Sequence, residues 1–231
     1  MGNILLKYLE ERHKNKREEI DFLEVGPVVT ISREFGCPAK MIAKKISESL
    51  DELHAGKEKQ EWKIVTKEIL ENAAKELGLE PENIEYVFKN EKRGAIDDIL
   101  NALSNKYYKS DRKIKKTLKE VILSIGEDGN AIIVGRCGAS ITREIPKSLH
   151  VRLIAPLLWR VPGIKERHKI SYYEAEKLAV DNDKRRKKLR DNFAGKKIDD
   201  YDYDLILNTK TLSIDEIVSL VIKTMKMKEL I

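Results

Sequence analysis

The sequence predicts an α/β fold in which a parallel sheet is flanked by helices. Short apolar or β-branched runs recur along the chain and alternate with longer segments of helical periodicity. Two of these runs, 131–135 (AIIVG) and 149–155 (LHVRLIA), are apolar at nearly every position, as is typical of strands covered on both faces. Strands that alternate with helices favour right-handed βαβ units and therefore a parallel sheet.

The elements follow in order along the chain. A charged helical extension is predicted at 1–24, and the first strand, 28–32, is followed by a helix over 40–53 with apolar residues at roughly helical spacing. Ser213 and Glu216 form the pattern of a capping box at the start of the last helix. The other predicted strands are 62–66, 131–135, 149–155 and 203–209, and the other predicted helices are 67–78, a mostly helical stretch to about 127, 171–193 and 213–230.

The composition of the chain limits the classes of molecule that it is expected to bind. The 231 residues suffice for one sizeable domain with appendages, and 45 basic against 39 acidic residues leave a net charge of only +6. Because the two signs are interspersed, the charges favour a well-solvated surface over a nucleic-acid interface, and small anionic ligands suit the balance at least as well. We therefore expect no nucleic-acid partner, and a homodimer through the N-terminal helix is an open expectation.

The location is predicted to be cytoplasmic. No apolar stretch approaches the length of a membrane span, and the N-terminus lacks the apolar core of a signal peptide. The two cysteines, Cys37 and Cys137, have no metal-ligand spacing, so we expect reduced thiols, no membrane partner and no protein-bound metal.

Three polar stretches follow predicted strands. They are SREFGCPAK after the first strand, GRCGAS after AIIV, and APLLWR after LHVRLI. Ligands of parallel sheets bind beyond the carboxyl ends of the strands, so these stretches should lie together at one edge. A turn between a strand and a helix start is also where nucleotide-binding proteins hold phosphate, although residues 36–40 contain a single glycine and no G-K-[ST].

A set of short motifs resembles the cytidylate kinase-like family, whose members are related to P-loop nucleoside monophosphate kinases. In order they are VTISREFG with IAKKIS, KEILENAAKELGL, NEKRG, GNAIIVGRCG, DNDKRR and YDLILNT, between about residues 25 and 225. The resemblance implies a three-layer P-loop kinase domain over 25–231. It also implies a helical acceptor-side insert at about 80–127, a lid-like region at about 157–192, and phosphoryl transfer from ATP, with Mg²⁺, to a nucleoside monophosphate such as CMP.

The resemblance assigns the turn after the first strand to the phosphates of the donor nucleotide. Main-chain N–H groups at a helix start suit this task, because they point at the ligand and the helix dipole favours negative charge. The donor-binding residues implied are Arg33, Gly36, Cys37, Ala39 and Lys40.

The resemblance assigns Arg136, Asp183 and Arg186 to the acceptor. Arg136, in GRC, matches the arginine that grips the acceptor's phosphate, and a planar guanidinium suits that task. Asp183 and Arg186 resemble a D-x-x-R pair beside the acceptor nucleotide. The alternatives are a surface arginine for Arg136 and a simple ion pair within one helical turn for Asp183 and Arg186, worth only about 0.2–0.5 kcal/mol.

The implied catalytic residues are Lys40, Arg160 and Arg167. Arginines of a lid would neutralise charge on the transferring phosphoryl group, which is most of what a protein contributes to this chemistry. Arg160 and Arg167 stand among many charges in the sequence, so a solvated surface is the alternative for each.

The phosphate-binding turn departs from the pattern of relatives, which usually carry Gly-Ser-Gly-Gly where this chain has residues 36–39. Pro38 has no N–H, and neither Pro38 nor Ala39 readily takes positive φ. Lys40 lies one position beyond the lysine of the wider kinase class, and Met41 occupies the place of the Mg²⁺-binding Ser or Thr. Relatives most similar to this chain also lack G-K-[ST], so the absence of the lysine alone does not exclude activity, whereas the loss of the glycines weakens the case for it. Mg²⁺ is expected to be held mainly through the nucleotide.

Cys37 adds a redox hypothesis. A thiol near a helix N-terminus and Lys40 is expected to have a lowered pKa. The strands that lead to Cys37 and Cys137 should be neighbours in the implied fold, so a disulfide that closes the site on oxidation is one hypothesis. Buried inert thiols are the common alternative.

Three functions fit the sequence. The first is an ATP-dependent kinase for a nucleoside monophosphate or similar small phosphate acceptor, and the second is a nucleotide-binding or regulatory protein on the same scaffold with little or no catalysis. A nucleic-acid-binding module rests only on short basic clusters. The conformation of the turn separates the first two: several N–H groups converging on one point favour phosphate binding, whereas a buried Ala39 with Lys40 turned away disfavours it.

Overall fold

The computed structural model describes residues 25–53, 61–66 and 111–231, with side chains of the last range described from residue 118 onward. The predicted extension 1–24, the helix at 67–78 and most of the insert lie outside the described residues. The described elements are β1 (Val28–Arg33), α1 (Ala39–Leu53), β2 (Lys63–Val65), α2 (Asp111–Glu127), β3 (Ala131–Val134), α3 (Gly138–Ile141), β4 (Ser148–Ile154), α4 (Leu157–His168), α5 (Tyr172–Ala194), β5 (Leu205–Asn208) and α6 (Ile214–Met227).

The strands form one sheet in the order β2-β3-β1-β4-β5, with every neighbouring pair parallel. This confirms the predicted α/β class with a parallel sheet flanked by helices. Strand β1 is central, and Val28 is in register with Ala131 of β3 on one side and with Ser148 of β4 on the other. The turns that follow β1, β3 and β4 therefore meet at the carboxyl edge, as expected from the three polar stretches.

The apolar core occupies both faces of the sheet because successive strand residues point to opposite faces. On one face Val29 and Ile31 of β1 pack with Ile42 and Ile46 of α1 and with α6. On the other face lies a second cluster with residues of β3, α2 and α3, including Val28. The sheet and the helices packed on its two faces through these clusters form three layers, with β1 enclosed at the centre.

Helix boundaries follow local sequence signals. Helix α5 begins after Ser171, whose hydroxyl accepts from the Glu174 N–H while the Glu174 carboxylate accepts from the Ser171 N–H. The predicted box of Ser213 and Glu216 is present at α6 in the same reciprocal form. No helix of the described ranges has the length and apolar character needed to cross a bilayer.

His150 is a buried polar group in the central strands. Its Nδ1 lies 2.8 Å from Thr30 Oγ1 and its main-chain N–H donates to the Asp204 carboxylate at 2.7 Å, so it joins β1, β4 and the start of β5. Burial lowers the pKa of His150 from 6.5 to about 4, although Asp204 opposes the shift; Lys228 and Arg143 reinforce it.

Stability is therefore expected to fall in mild acid. The unfolded imidazole takes up a proton near its ordinary pKa, whereas the folded one stays neutral until about pH 4, so the free energy of unfolding falls below about pH 6.5. Between about pH 7.5 and about pH 5 the loss through His150 is about 2 kcal/mol. Urea unfolding at both pH values measures it, and His150→Asn should lack this part of the pH dependence. Equal pH dependence in both proteins would contradict the assignment.

Candidate functional site

The turn that connects β1 to α1 packs closely against α4. Gly36 has φ +99°, and a Cβ there would lie 3.1 Å from Arg160 Cβ and 3.1 Å from Ile164 Cδ1, so both conformation and space favour glycine. At the start of α1, Ala39 is only 3% exposed and faces the core, whereas Lys40 is exposed. The main chain thus reaches the sheet edge as predicted, with the lysine on the solvent side of the helix.

The N–H groups of this turn are largely used within the protein. The Cys37 N–H donates to the Glu34 carbonyl at 3.3 Å and the Ala39 N–H to the Cys37 carbonyl at 2.9 Å. The Phe35 N–H donates to Asp183 Oδ1 of α5 at 2.7 Å. Pro38 has no N–H to offer. In this conformation, two of the groups assigned to the donor phosphates, those of Cys37 and Ala39, bind main-chain oxygens.

Arg160 is buried beneath the same turn, with 6% of its surface exposed. Its Nε–H donates to the Ala155 carbonyl at 2.9 Å, and its Nη1 donates to the Phe35 carbonyl and to Asp183 Oδ2, both at 2.7 Å. Its Nη2 lies 3.5 Å from Glu34 Oε2. A solvated surface is therefore the wrong interpretation for Arg160, and one guanidinium joins β1, β4, α4 and α5.

Asp183 and Arg186 do not form the simple surface pair that their spacing allows. Both carboxylate oxygens of Asp183 are directed at other groups, the Phe35 N–H and Arg160. Arg186 donates from Nη1 to the Arg33 carbonyl at 3.2 Å and lies over the Phe35 ring, 5.3 Å from its centroid. Helix α5 therefore contacts the turn through both Asp183 and Arg186.

Four arginines converge on the carboxyl edge beside β1 and β3. The Arg33 guanidinium crosses Gly135, where a Cβ would overlap it, and Arg186 binds the Arg33 carbonyl. Arg136 has a left-handed φ of +52°, uncommon for a residue with a side chain, and such strained backbone clusters at functional sites. Arg190 lies one turn beyond Arg186 on α5. We call Arg33, Arg136, Arg186 and Arg190 the arginine cluster.

The electrostatics of the arginine cluster favour an anion. Burial lowers the pKa of Arg186; Asp183 opposes this shift, whereas the guanidinium groups of Arg136 and Arg190 add to it. Like charges held close together are stabilised when a negative ligand enters between them. Arg190 Nε is moreover buried without a hydrogen-bond partner, so this side of the cluster has hydrogen-bonding capacity left.

The structure brings together most of the predicted site residues and separates two of them. Arg33, Gly36, Cys37, Ala39, Arg136, Asp183 and Arg186 all lie in or beside the turns at the carboxyl edge, with Arg160 beneath them. Lys40 and Arg167 are exposed on the outer sides of α1 and α4. Sequence reasoning missed Arg190, although its spacing of seven from Asp183 and four from Arg186 places all three on one helix face.

The turn is a poor fit for a protein-bound Mg²⁺. Met41, at the position of a hydroxyl ligand, is 55% exposed and carries a thioether that does not suit this hard cation. The nearby carboxylates of Glu34 and Asp183 both face Arg160. In the part of the chain that the structure describes, no group of at least three His, Cys, Asp or Glu side chains is placed to bind a metal.

The redox hypothesis for Cys37 and Cys137 meets two contrary observations. Burial raises the pKa of the Cys37 thiol, although the Thr209 hydroxyl donates to its sulfur at 3.5 Å, so the expected lowering is wrong. Burial raises the pKa of Cys137 to about 12 despite Arg190 and Arg136. Both thiols are free, and they belong to core clusters on opposite faces of the sheet.

A parallel sheet with basic groups at its carboxyl edge is an architecture that P-loop kinases share with other nucleotide-binding α/β proteins. The model of the cytidylate kinase-like family matches residues 28–211, and the chain belongs to that family. This confirms the predicted resemblance. The match leaves the acceptor and the activity of this chain open, and the roles given above to individual residues remain predictions.

Solved structures share the fold at low sequence identity. A crystal structure of an uncharacterized protein from Eubacterium ventriosum is 18% identical, with a TM-score of 0.56 over 86% of this chain and 97% of that one. Dephospho-CoA kinase from Campylobacter jejuni is 17% identical, with a TM-score of 0.36 over 87% of this chain and 97% of that one. The first of these similarities supports the fold alone.

One curated relative belongs to another class. A protein named uronate isomerase, from Corynebacterium glutamicum, is 24% identical over 132 residues, which are 57% of this chain. The chain spans only 25% of the length of that protein. So short and distant a match carries no activity over to this chain.

Gly135→Ala is expected to weaken phosphate binding because an added Cβ displaces the Arg33 guanidinium. Gly195→Ala is its control: φ is +76° and +70° at the two positions, but at Gly195 an added Cβ meets nothing within 4 Å. Both variants should lose about 1 kcal/mol of unfolding free energy from backbone strain. Only the first should raise the Kd for inorganic phosphate in a calorimetric titration. Equal affinities in the two variants would contradict the position of Arg33.

Both thiols should react slowly in the folded protein. Burial keeps Cys37 and Cys137 protonated, and the thiolate is the reactive form. Iodoacetamide labelling near pH 8, followed by mass spectrometry with and without urea, should show modification mainly after unfolding. Rapid labelling of the folded chain, or a disulfide between the two residues on mild oxidation, would restore the redox hypothesis.

Proposed function

We propose that this protein transfers a phosphoryl group from ATP to a small phosphorylated acceptor of the nucleoside monophosphate type, with CMP as the first candidate. The observation that carries the proposal is the arginine cluster at the carboxyl edge of the sheet. Membership of the cytidylate kinase-like family supports a kinase activity in general terms. The arginine cluster supports a phosphorylated acceptor, and CMP is the acceptor that the family resemblance implies.

The arginine cluster suits the phosphate of an acceptor. A phosphate monoester presents several anionic oxygens, and planar guanidinium groups bind such oxygens in pairs of charge-assisted hydrogen bonds. Arg186 and Arg190 approach from α5 and Arg136 from the end of β3; Arg33, which the resemblance assigned to the donor, joins them from the end of β1. An acceptor held from two sides in this way has its orientation fixed as well as its charge neutralised.

The donor side lies a few residues away along the same edge. Its phosphates would bind at the turn of residues 36–40, with Lys40 reaching back along its flexible stem and Arg160 and Arg167 contributed by α4. Mg²⁺ would arrive with the nucleotide and neutralise the charge of its phosphates. The chain's own contribution would be to position the two substrates and exclude water from between them.

The second candidate is a nucleotide-binding or regulatory protein without catalysis, and one observation favours it. The N–H groups of Phe35, Cys37 and Ala39 are already bonded within the protein, and Ala39 is buried while Lys40 is exposed. A protein of this kind would retain the arginine cluster and bind a phosphorylated ligand without using ATP.

Removing an arginine of the cluster should weaken acceptor binding. For Arg136→Ala and Arg190→Ala we expect the Kd for CMP to rise about 10- to 100-fold, because each loses charge-assisted hydrogen bonds to phosphate. Lys187→Ala is the control, since it removes a charge from an exposed position of the same helix. Calorimetry gives the Kd values, and ADP release from ATP with each phosphorylated acceptor tests transfer.

The outcomes separate the candidates. Weak binding in both arginine variants together with ADP release that depends on the acceptor supports the kinase. The same binding losses without any ADP release support the regulatory protein. CMP and other nucleoside monophosphates binding equally to wild type and all three variants would contradict the acceptor site.

A further inference from the structure

We propose that the Asp183 carboxylate is an internal anion of the phosphate-binding turn, and that a donor's phosphates must displace it from the Phe35 N–H and from Arg160. Asp183 is thereby a positioning residue that links the place of α5 to the state of the turn. The inference rests on the proposed function, because it assigns the turn to a phosphate donor.

The geometry of the carboxylate imitates a bound phosphate. Oδ1 accepts from the Phe35 N–H at 2.7 Å and Oδ2 accepts from Arg160 Nη1 at 2.7 Å. These are a main-chain donor of the turn and a guanidinium, the two kinds of group that hold phosphate oxygens elsewhere. A phosphate oxygen and the carboxylate cannot occupy the same donor positions, so one excludes the other.

The charges around Arg160 also favour the proposal that Asp183 must be displaced before a polyphosphate binds. Around Arg160 lie two carboxylates, Glu34 at 3.5 Å and Asp183 at 2.7 Å, so one positive group faces two negative ones. This arrangement repels a polyphosphate while α5 is in place. Displacement of Asp183 would leave one positive and one negative charge and would free an N–H and a guanidinium donor together.

Helix α5 makes further contacts with the turn and with α4. Arg186 binds the Arg33 carbonyl and lies over the Phe35 ring, and Phe35 also stacks on His168 at the end of α4, with ring centroids 5.8 Å apart. Helices α4 and α5 share an apolar cluster that includes Val161 and Ala179. These contacts couple the position of α5, and with it the Asp183 carboxylate, to the conformation of the turn.

A purely structural brace makes the opposite prediction. If Asp183 only supports the turn, its loss should reduce both the stability of the protein and its affinity for phosphate. If Asp183 competes with phosphate, its loss should reduce stability and increase affinity. The two roles therefore differ in the sign of one measured quantity.

The test compares Asp183→Asn with Asp181→Asn, which removes the same charge from an exposed position of the same helix. The probe is inorganic tripolyphosphate, titrated calorimetrically. Asparagine retains the size of the side chain and an oxygen that accepts from the Phe35 N–H. We expect the Kd for tripolyphosphate to be about tenfold lower in Asp183→Asn than in wild type or Asp181→Asn, and the melting temperature to be lower.

A second variant background shows whether the gain in tripolyphosphate affinity arises at the turn or at the arginine cluster. Asp183 is also close to Arg186, so the comparison is repeated with Arg136→Ala, which weakens the arginine cluster. A gain that persists in this background belongs to the turn and supports the proposal. A gain that disappears belongs to the arginine cluster and overturns it, as does an unchanged or weakened affinity in Asp183→Asn.

Wild-type protein supplies an independent measurement should the variant fail to fold. Saturation with tripolyphosphate should speed amide hydrogen exchange in the peptides around Asp183, because the helix leaves the turn. Unchanged or slower exchange there overturns the proposal. None of these readouts involves an acceptor or turnover, so they stand apart from the test of the proposed function, which fails through CMP binding and ADP release.

Discussion

The arrangement of the site depends on a single buried guanidinium. Arg160 binds two main-chain carbonyls and faces two carboxylates. One of these four partners follows β4, two lie in the turn after β1, and one belongs to α5. A buried cation must be fully paired, since an unpaired one costs several kcal/mol. The turn, α4 and α5 are consequently fixed relative to one another by the need to satisfy one side chain.

The arginine cluster and the turn between β1 and α1 differ in how far their positive groups and N–H donors are already paired within the protein. In the arginine cluster, Arg136 and Arg190 help to lower the pKa of Arg186, and Arg190 Nε is buried without a hydrogen-bond partner, so an anion bound there would be stabilised. At the turn, charges and N–H groups are already balanced by Asp183 and by main-chain oxygens. The chain is therefore prepared for an anion at the arginine cluster, whereas at the turn the groups that could bind one are already paired, and α5 contributes side chains to both regions.

Sequence patterns located the fold and the edge well because both depend on local signals. The apolar runs and the capping residues such as Ser213 set the boundaries of strands and helices, and parallel topology brings the strand ends together. The acceptor of the Phe35 N–H could not be predicted from local signals, because Asp183 is 148 residues away and its orientation depends on how α5 packs. The burial of Arg160 was missed for the same reason: a charged residue in a charged stretch gives no local sign of being enclosed.

The position of a bound phosphate analogue tests the account most directly. Crystals grown with tungstate, whose metal atom is located by its anomalous signal, would show where an oxyanion settles first. We expect a peak between Arg136, Arg186 and Arg190, with Asp183 still bonded to the Phe35 N–H. A peak in the turn beside residues 36–40, with the arginine cluster empty, would contradict it.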